Sequence, residues 1–505
     1  MVSVSEETSL VRASDLVGCR YRLRQRIAHP EIPPLPEAER RQPLIDAGRA
    51  AAFTLLPVRR AMGDGRRKPF SRVDIDPAAD VFAAEGHTRA VLAKGATLIT
   101  NGALTGTIDG VPVVAEIDIL ARLEDGTYLP VVISNHRVAR SSPSATLRFI
   151  PTRRLGLGKP LEVGAKLRHH TIDGYRAALA HILLDDLGYA SGQAAAVGQD
   201  RERAYLTDVT RYEEALRTAL ALPTPDRPVR LKQCATCRFW ELCEPELLAM
   251  DDISLVFPGQ RAEPLRLKGL ETVQAVMDAD LGESSQIARA WRAGIPVLAR
   301  DDFAPPAELR ADVEVDIDME AYLDQGAYLW GAFDGQTYRA FSTWEEVGPD
   351  SVAEEENFAA FWSWLMGLRA AAHAEGKTFR AYCYAAGGEN HWLMGSARRF
   401  ASISENEVRD FIASDEWVDV FTWVRRLLVG TDGLGLKVVA PIAGYEWAGD
   451  VDGEESVALR REARAGNMSA RAALERYNED DCRATAAVRR MLMAGAPGVP
   501  RLSSL

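Results

Sequence analysis

The sequence predicts an α/β protein built from more than one module, and three observations carry that expectation. The chain has 505 residues, more than one ordinary domain, and a length that suggests about two to four. Alternating apolar and charged residues begin at Val313, and the segments that follow read β-β-β-α-β-α, an order that argues for a mixed sheet rather than a helical bundle. The two halves also differ in charge: residues 1–250 hold 34 Lys+Arg against 30 Asp+Glu, whereas residues 251–505 hold 26 against 42.

Taken in order, a Pro-rich stretch from Pro30 to Pro36 interrupts the start. Strands are expected at Thr97–Thr100, Gly106–Ile108, Val113–Leu120 and Tyr128–Ile133, and an amphipathic helix at Ile172–Leu187. Pro223, Pro225 and Pro228 then break the chain before a cysteine cluster. Residues 251–305 read as a helical connector, in which Leu265–Asp280 is either a plain linker or a helix-hairpin-helix. Beyond it, Val313, Val315 and Ile317 alternate with Glu314, Asp316 and Asp318. Tyr328–Phe333, Thr337–Phe341 and Arg380–Tyr384 are the next strands. Helices are expected at about Glu355–Glu375, around Val408–Leu428, and at Met468–Met493. The organisation is thus 1–250, 251–305 and 306–505.

Hydrophobic residues make up 47% and charged residues 26%, so each half can bury a core. No apolar run reaches the length of a membrane span. Met1–Leu10 carries Glu6 and Glu7 and no basic cluster, unlike a secretory signal, so a cytoplasmic location is expected. The near-neutral first half suits phosphates better than the acidic second half, although bound cations reverse a local acidic field.

Cys234, Cys237 and Cys243 lie within ten residues, and Cys19 is the fourth thiol of that half. Their spacing fits zinc or an iron–sulfur cluster. Ala13-Ser14-Asp15-Leu16-Val17-Gly18-Cys19-Arg20-Tyr21-Arg22 resembles the opening segment of RecB-like nucleases that carry an iron–sulfur staple. That resemblance implies a [4Fe–4S] cluster on Cys19, Cys234, Cys237 and Cys243, with zinc as the alternative. It also implies a nuclease centre. His87 would supply its first element, and Glu116-Ile117-Asp118-Ile119-Leu120 its metal-binding Asp118. The next strand, Tyr128–Ser134, should then carry an acid-x-Lys pair but has Val132 and Ser134. A weakened or silent centre that holds DNA is expected, aided by Arg148, Arg153, Arg154, Lys166 and Arg168.

The sharpest local pattern is Asp316-Ile317-Asp318-Met319-Glu320. On a strand its three carboxylates share one face, where they repel unless cations bind. In Tyr477-Asn478-Glu479-Asp480-Asp481, Tyr477 and Asp481 share a helix face with apolar residues. An acid in such a stripe needs a partner. These motifs resemble the tyrosine variant of the DEDD exonucleases, which have an RNase H-like fold. Asp318-x-Glu320 matches the first motif and Tyr477-x-x-x-Asp481 the third. In the second, Ala381–Asn390, Glu389 stands where the family has Asp. Asp419 and Asp316 are expected in support, and Leu434-Gly435-Leu436-Lys437 resembles the segment before the terminal helix.

The whole chain therefore resembles a bacterial family in which a RecB-like module with four cysteines is fused to a DEDD exonuclease domain. The resemblance implies that Asp318, Glu320, Glu389 and Asp481 bind two Mg²⁺ or Mn²⁺ ions and that Tyr477 orients the attacking water. It implies 3′-to-5′ degradation of single-stranded DNA in repair or processing. Two alternatives stay open: cutting by the N-terminal centre, and a non-catalytic DNA-binding scaffold.

Overall fold

The structure is a computed structural model that describes residues 9–58, 70–322, 325–348, 350–449 and 453–505. Glu6 and Glu7 lie outside them. The chain divides into two compact units, Met1–Arg261 and Ala262–Leu505. Residues 251–305 fall on both sides of that boundary. Residues 253–257 are buried in the first unit, where Arg230 N–H donates to Ser254 Oγ at 2.9 Å. In the second unit, Val297–Ala299 pairs antiparallel with Leu428–Gly430. The segment Leu265–Asp280 contains two short helices, Glu263–Arg266 and Val273–Asp278; the second pairs instead with Glu283–Arg292, across a turn at Gly282 (φ +58°).

The first unit is built on one eight-stranded sheet. Its strands are β1 (Arg72–Asp74), β2 (Leu98–Ile108), β3 (Val111–Arg122), β4 (Tyr128–Ile133), β5 (Ala139–Pro151), β6 (Leu161–Leu167), β7 (Gln193–Val197) and β8 (Arg203–Asp208). They lie in the order β1-β2-β3-β4-β7-β8-β5-β6. Thr97–Thr100 and Gly106–Ile108, expected as two strands, belong to one. Asn101 sits at φ +54° and is skipped in the pairing with β3, but Thr100↔Ile119 and Gly102↔Ile117 on either side keep one register, so the ladder continues. β4 and β7 are parallel, so the chain must cross over between them, and helix Thr171–Asp186 makes that crossing. This helix is expected to be amphipathic. It is instead buried on almost every side from Gly174 to Leu184, because it lies against β3, β4 and β7 while a further helix, Thr210–Ala221, covers it. β5 and β6 escaped the sequence reading because much of their surface is exposed and lacks an apolar alternation.

The second unit has β9 (Val297–Ala299), β10 (Val313–Tyr322), β11 (Gly326–Phe333), β12 (Tyr338–Ser342), β13 (Phe379–Cys383), β14 (Trp417–Asp419) and β15 (Leu428–Gly430). The main sheet runs β12-β11-β10-β13-β14, with β10 central, antiparallel to β11 and parallel to β13. Val315 and Ile317 point into a core with Trp330, Phe358, Phe361 and Trp362. Trp330 and Phe361 stack at 4.9 Å. Burying each such side chain contributes about 1.5–3 kcal/mol. Helix Val352–Ala374 packs against β11, and Ser351 caps its N-terminus. The terminal helix, Met468–Met493, starts on an Asn467 cap and packs against β10 and β11. Among the described residues no helix is long and apolar enough to cross a membrane.

A buried ion pair ties that helix to the central strand. Arg489 is 3% exposed and donates to Asp316 through Nε (3.2 Å) and Nη2 (2.9 Å), and to Glu314 through Nη1 (2.6 Å). Removing one partner of such a pair strands the other charge. Arg489→Met is therefore expected to destabilise the protein by about 3–5 kcal/mol in urea unfolding; an unchanged midpoint would refute this account.

Candidate active site

β10 and the terminal helix meet at an acidic cluster. One ligand oxygen from each of Asp318, Glu320 and Asp481 lies within 4.8 Å of the other two, and no other such group of three acids, histidines or cysteines occurs among the described residues. Asp318 comes from the middle of β10. Its other side is reached by Asn478, one turn before Asp481 on the helix, whose Nδ2 donates to Asp318 Oδ2 at 2.7 Å. Tyr338 on β12 donates its hydroxyl to Asn478 Oδ1 at 2.8 Å, which fixes the amide's orientation. This approach requires Gly331 opposite Asp318 on β11, because a Cβ there would stand 1.7 Å from Asn478 Oδ1.

Asp481 accepts from Trp447 Nε1 at 2.8 Å and from the Tyr477 hydroxyl. Lys437 lies 5.4 Å from the Tyr477 ring centroid, and its charge is felt by Asp481. The neighbouring Asp480 is buried, not part of a solvated helix flank. It accepts from Tyr445 Oη (2.6 Å) and Ala448 N (3.2 Å), anchoring the loop that carries Trp447. Asn478, Tyr338, Gly331 and Trp447 were not found by sequence reasoning. An Asn in an apolar helix stripe was the one local signal.

The other expected residues divide. Glu389 is buried in the first turn of helix Gly387–Arg399, outside the close triad, but its charge reaches both Asp318 and Glu320. Asp419 caps helix Val420–Leu427, accepting from Phe421 N at 2.9 Å, and also holds Ala385 N at 3.0 Å just before the Glu389 helix. Its support is therefore indirect. Asp316, expected on the acidic face, is committed to Arg489 and is not part of the cluster. Its carboxylate is already neutralised by a guanidinium, so a cation has nothing to gain there.

Electrostatics set the remaining acids apart from ordinary carboxyls. Burial first, then the charges of Asp481, Glu320 and Glu389, raises Asp318 well above its usual range. Glu320 is pushed up to about 8 by burial and by Asp481 and Glu389. Burial lifts Glu389 to about 7 and Asp481 to about 6, the latter against the pull of Trp447 and Lys437. Oxygen donors this close to one another are a donor set for hard divalent ions.

In the first unit Asp118 is also buried, but its oxygens are occupied. Arg49 Nη2 lies 2.5 Å from Oδ1, and Arg176 Nη2 and Ile133 N donate to Oδ2 at 2.9 and 2.7 Å. It lines a cleft of about 450 Å³ with Arg12, Glu116 and Asn135. His87 is exposed on helix Val81–Ala93 and does not line that cleft. Val132 and Ser134 are buried, and Asn135 is held by Arg201. Arg148, Arg153, Arg154, Lys166 and Arg168 are all exposed.

Cys19, Cys234, Cys237 and Cys243 line one small cavity with Gln25 and Trp240. Gly18 (φ +77°) places Cys19 there: a Cβ would stand 2.2 Å from Gln233 Nε2. Leu231 N donates to Cys234 Sγ at 3.2 Å and Gln25 to Cys243 Sγ at 3.7 Å. Burial raises the Cys19 and Cys234 thiols and pushes Cys243 up to about 12, so binding a metal would release protons. Cys383 and Cys482 are buried core thiols.

The raised acids make stability depend on pH. A carboxyl lifted from 4.5 to about 8, as at Glu320, keeps its proton in the folded state where the unfolded chain has lost it. That stabilisation is complete below the unfolded value and is lost as pH rises through the folded one. The chelated protein is therefore expected to melt at lower temperature near about pH 8 than near about pH 5.5, and Mn²⁺ should raise Tm more at the higher pH. A Tm indifferent to Mn²⁺ at both would count against a metal site.

A comparison with curated proteins finds no match. A family model of the RNase_H superfamily matches residues 317–493, which span β10 with Asp318 and Glu320 through to the terminal helix with Tyr477 and Asp481, and the C-terminal part of the chain carries an RNase H-like domain.

Proposed function

We propose that the protein is a divalent-metal-dependent 3′–5′ exonuclease acting on single-stranded DNA in repair or processing, with its catalytic centre in the RNase H-like domain. The domain itself points to a nucleic-acid-cleaving hydrolase. The observation that carries the finer reading is the close triad of Asp318, Glu320 and Asp481 with Tyr477 one turn away on the same helix. Polarity and substrate rest on the resemblance to DEDD exonucleases.

In this reading Asp318, Glu320 and Asp481 hold Mg²⁺ or Mn²⁺, and Glu389 completes the set. When bound, the ions lower the pKa of the attacking water and stabilise the leaving 3′ oxygen. Asn478, locked by Tyr338, fixes the Asp318 carboxylate. Trp447 fixes one oxygen of Asp481, and the Tyr477 hydroxyl orients the water. The first unit, in this reading, has a RecB-like fold whose centre is silent, because Arg49 and Arg176 take the place of cations at Asp118. Its role is then to hold DNA.

Asp318→Ala and Asp481→Ala are each expected to reduce metal-dependent cutting of 5′-labelled single-stranded DNA at least about a thousandfold. Asp118→Ala should leave the rate within about threefold. A ladder lost only in Asp118→Ala would move catalysis to the first unit. Binding without any ladder, on DNA or RNA, would favour a scaffold.

The four thiols are proposed to hold a [4Fe–4S] cluster, supported by their shared cavity and by the resemblance of the Cys19 segment to RecB-like nucleases that carry one. Anaerobically purified protein should be brown, absorb near about 400 nm and contain about four irons per chain, and Cys237→Ser should lose the colour. One zinc per chain and no iron would overturn this assignment.

A further inference from the structure

Among the described residues, Arg460 is a buried cation that meets no carboxylate. It lies on helix Gly453–Arg464 and is 3% exposed. Nη1 and Nη2 donate to the backbone oxygens of Trp344 (3.1 Å) and Glu345 (2.5 Å), while its buried Nε has no hydrogen-bond partner. The guanidinium lies 4.7 Å from the Tyr328 ring centroid and 5.6 Å from that of Trp344. Arg464 and Arg471 add repulsion. A buried charge ordinarily requires a partner.

Arg460 lines a pocket of about 330 Å³ with Tyr322, Gln325, Glu346, Arg461 and Arg464. Arg464 pairs with the exposed Glu346 at 2.9 Å, and Arg461 Nε donates to the Tyr322 hydroxyl at 3.0 Å. Among the described residues that line it, three guanidinium groups thus face one carboxylate. The pocket adjoins the acidic cluster: Tyr322 follows Glu320 by two residues on β10, and Tyr328, which carries Arg460 on its ring, also feels the Glu320 charge. A pocket of this size has room for a phosphate group, since about 10–15 Å³ on the same measure holds one water.

We propose that this pocket is a phosphate site, in which Arg460, Arg461 and Arg464 bind a backbone phosphate of the nucleic-acid strand whose end lies at the acidic cluster. The assignment of the phosphate to a strand rests on the nuclease reading; the anion site itself does not. Guanidinium groups suit this task because they offer fork-shaped donor pairs to phosphate oxygens. A strand held beside the cutting centre would stay bound between successive cuts.

The test uses the full chain in chelator, so that nothing is cut, with a fluorescein-labelled thymidine 20-mer. Wild type and the double variant Arg461→Ala/Arg464→Ala are compared; both residues are exposed, and unfolding curves check the fold. Affinity should fall about tenfold or more, and the slope of log affinity against log salt should flatten by about 0.7, the value for one phosphate no longer neutralised on a single strand. Wild-type affinity and slope in the variant would overturn the proposal, even if the wild type cuts DNA with Mn²⁺. Inorganic phosphate and thymidine monophosphate form the second arm. If the wild type binds these in an Arg461-dependent manner but binds no oligonucleotide, the anion site stands and its assignment to a strand falls.

Discussion

The C-terminal domain is organised around mutual repulsion among half-buried carboxylates. Asp318 and Glu320 come from the central strand and Asp481 from the terminal helix, so one seam of packing brings like charges together. What holds the seam shut is not the acids but their surroundings: Arg489 clamps the same helix to the same strand through Asp316 and Glu314, and Asn478 bridges to Asp318. The fold absorbs the repulsion and leaves a place for cations.

Asp316, Asp118 and Asp318 show that burial alone does not define a metal ligand. All three are acids on internal strands. Asp316 faces Arg489, and Asp118 faces Arg49 and Arg176. Only Asp318 faces other carboxylates. A guanidinium supplies both the charge and the directed donors that a carboxylate needs, and it removes the electrostatic reason to bind a metal. The same residue type on the same kind of element is structural in two places and a candidate ligand in the third.

Two glycines matter for a related reason. Gly331 leaves room for Asn478 against β11, and Gly18 leaves room for Gln233 beside the thiol cavity. At each, a missing side chain allows a functional group from a distant part of the chain to approach the backbone. Arg460 presents the converse case, a cation that backbone carbonyls more than a hundred residues away satisfy in part of its hydrogen bonding, and that meets no carboxylate among the described residues.

The sequence by itself determined the continuous apolar strand Tyr128–Ile133, the alternating strand that opens at Val313, and the terminal helix Met468–Met493, because apolar runs and periods are local properties. It also singled out Asp318, Glu320, Tyr477 and Asp481, since acids at strand and helix spacing stand out against an apolar stripe. Tertiary structure alone decided the rest. It carried β2 unbroken through Asn101, buried helix Thr171–Asp186 on nearly all sides, and placed the weakly patterned β5 and β6 in the sheet. It also set Asp316 and Asp118 apart from Asp318. The partner of a buried charge can lie 173 residues away along the chain, as for Asp316 and Arg489, and local spacing carries no record of which cation or acid the fold will bring to it.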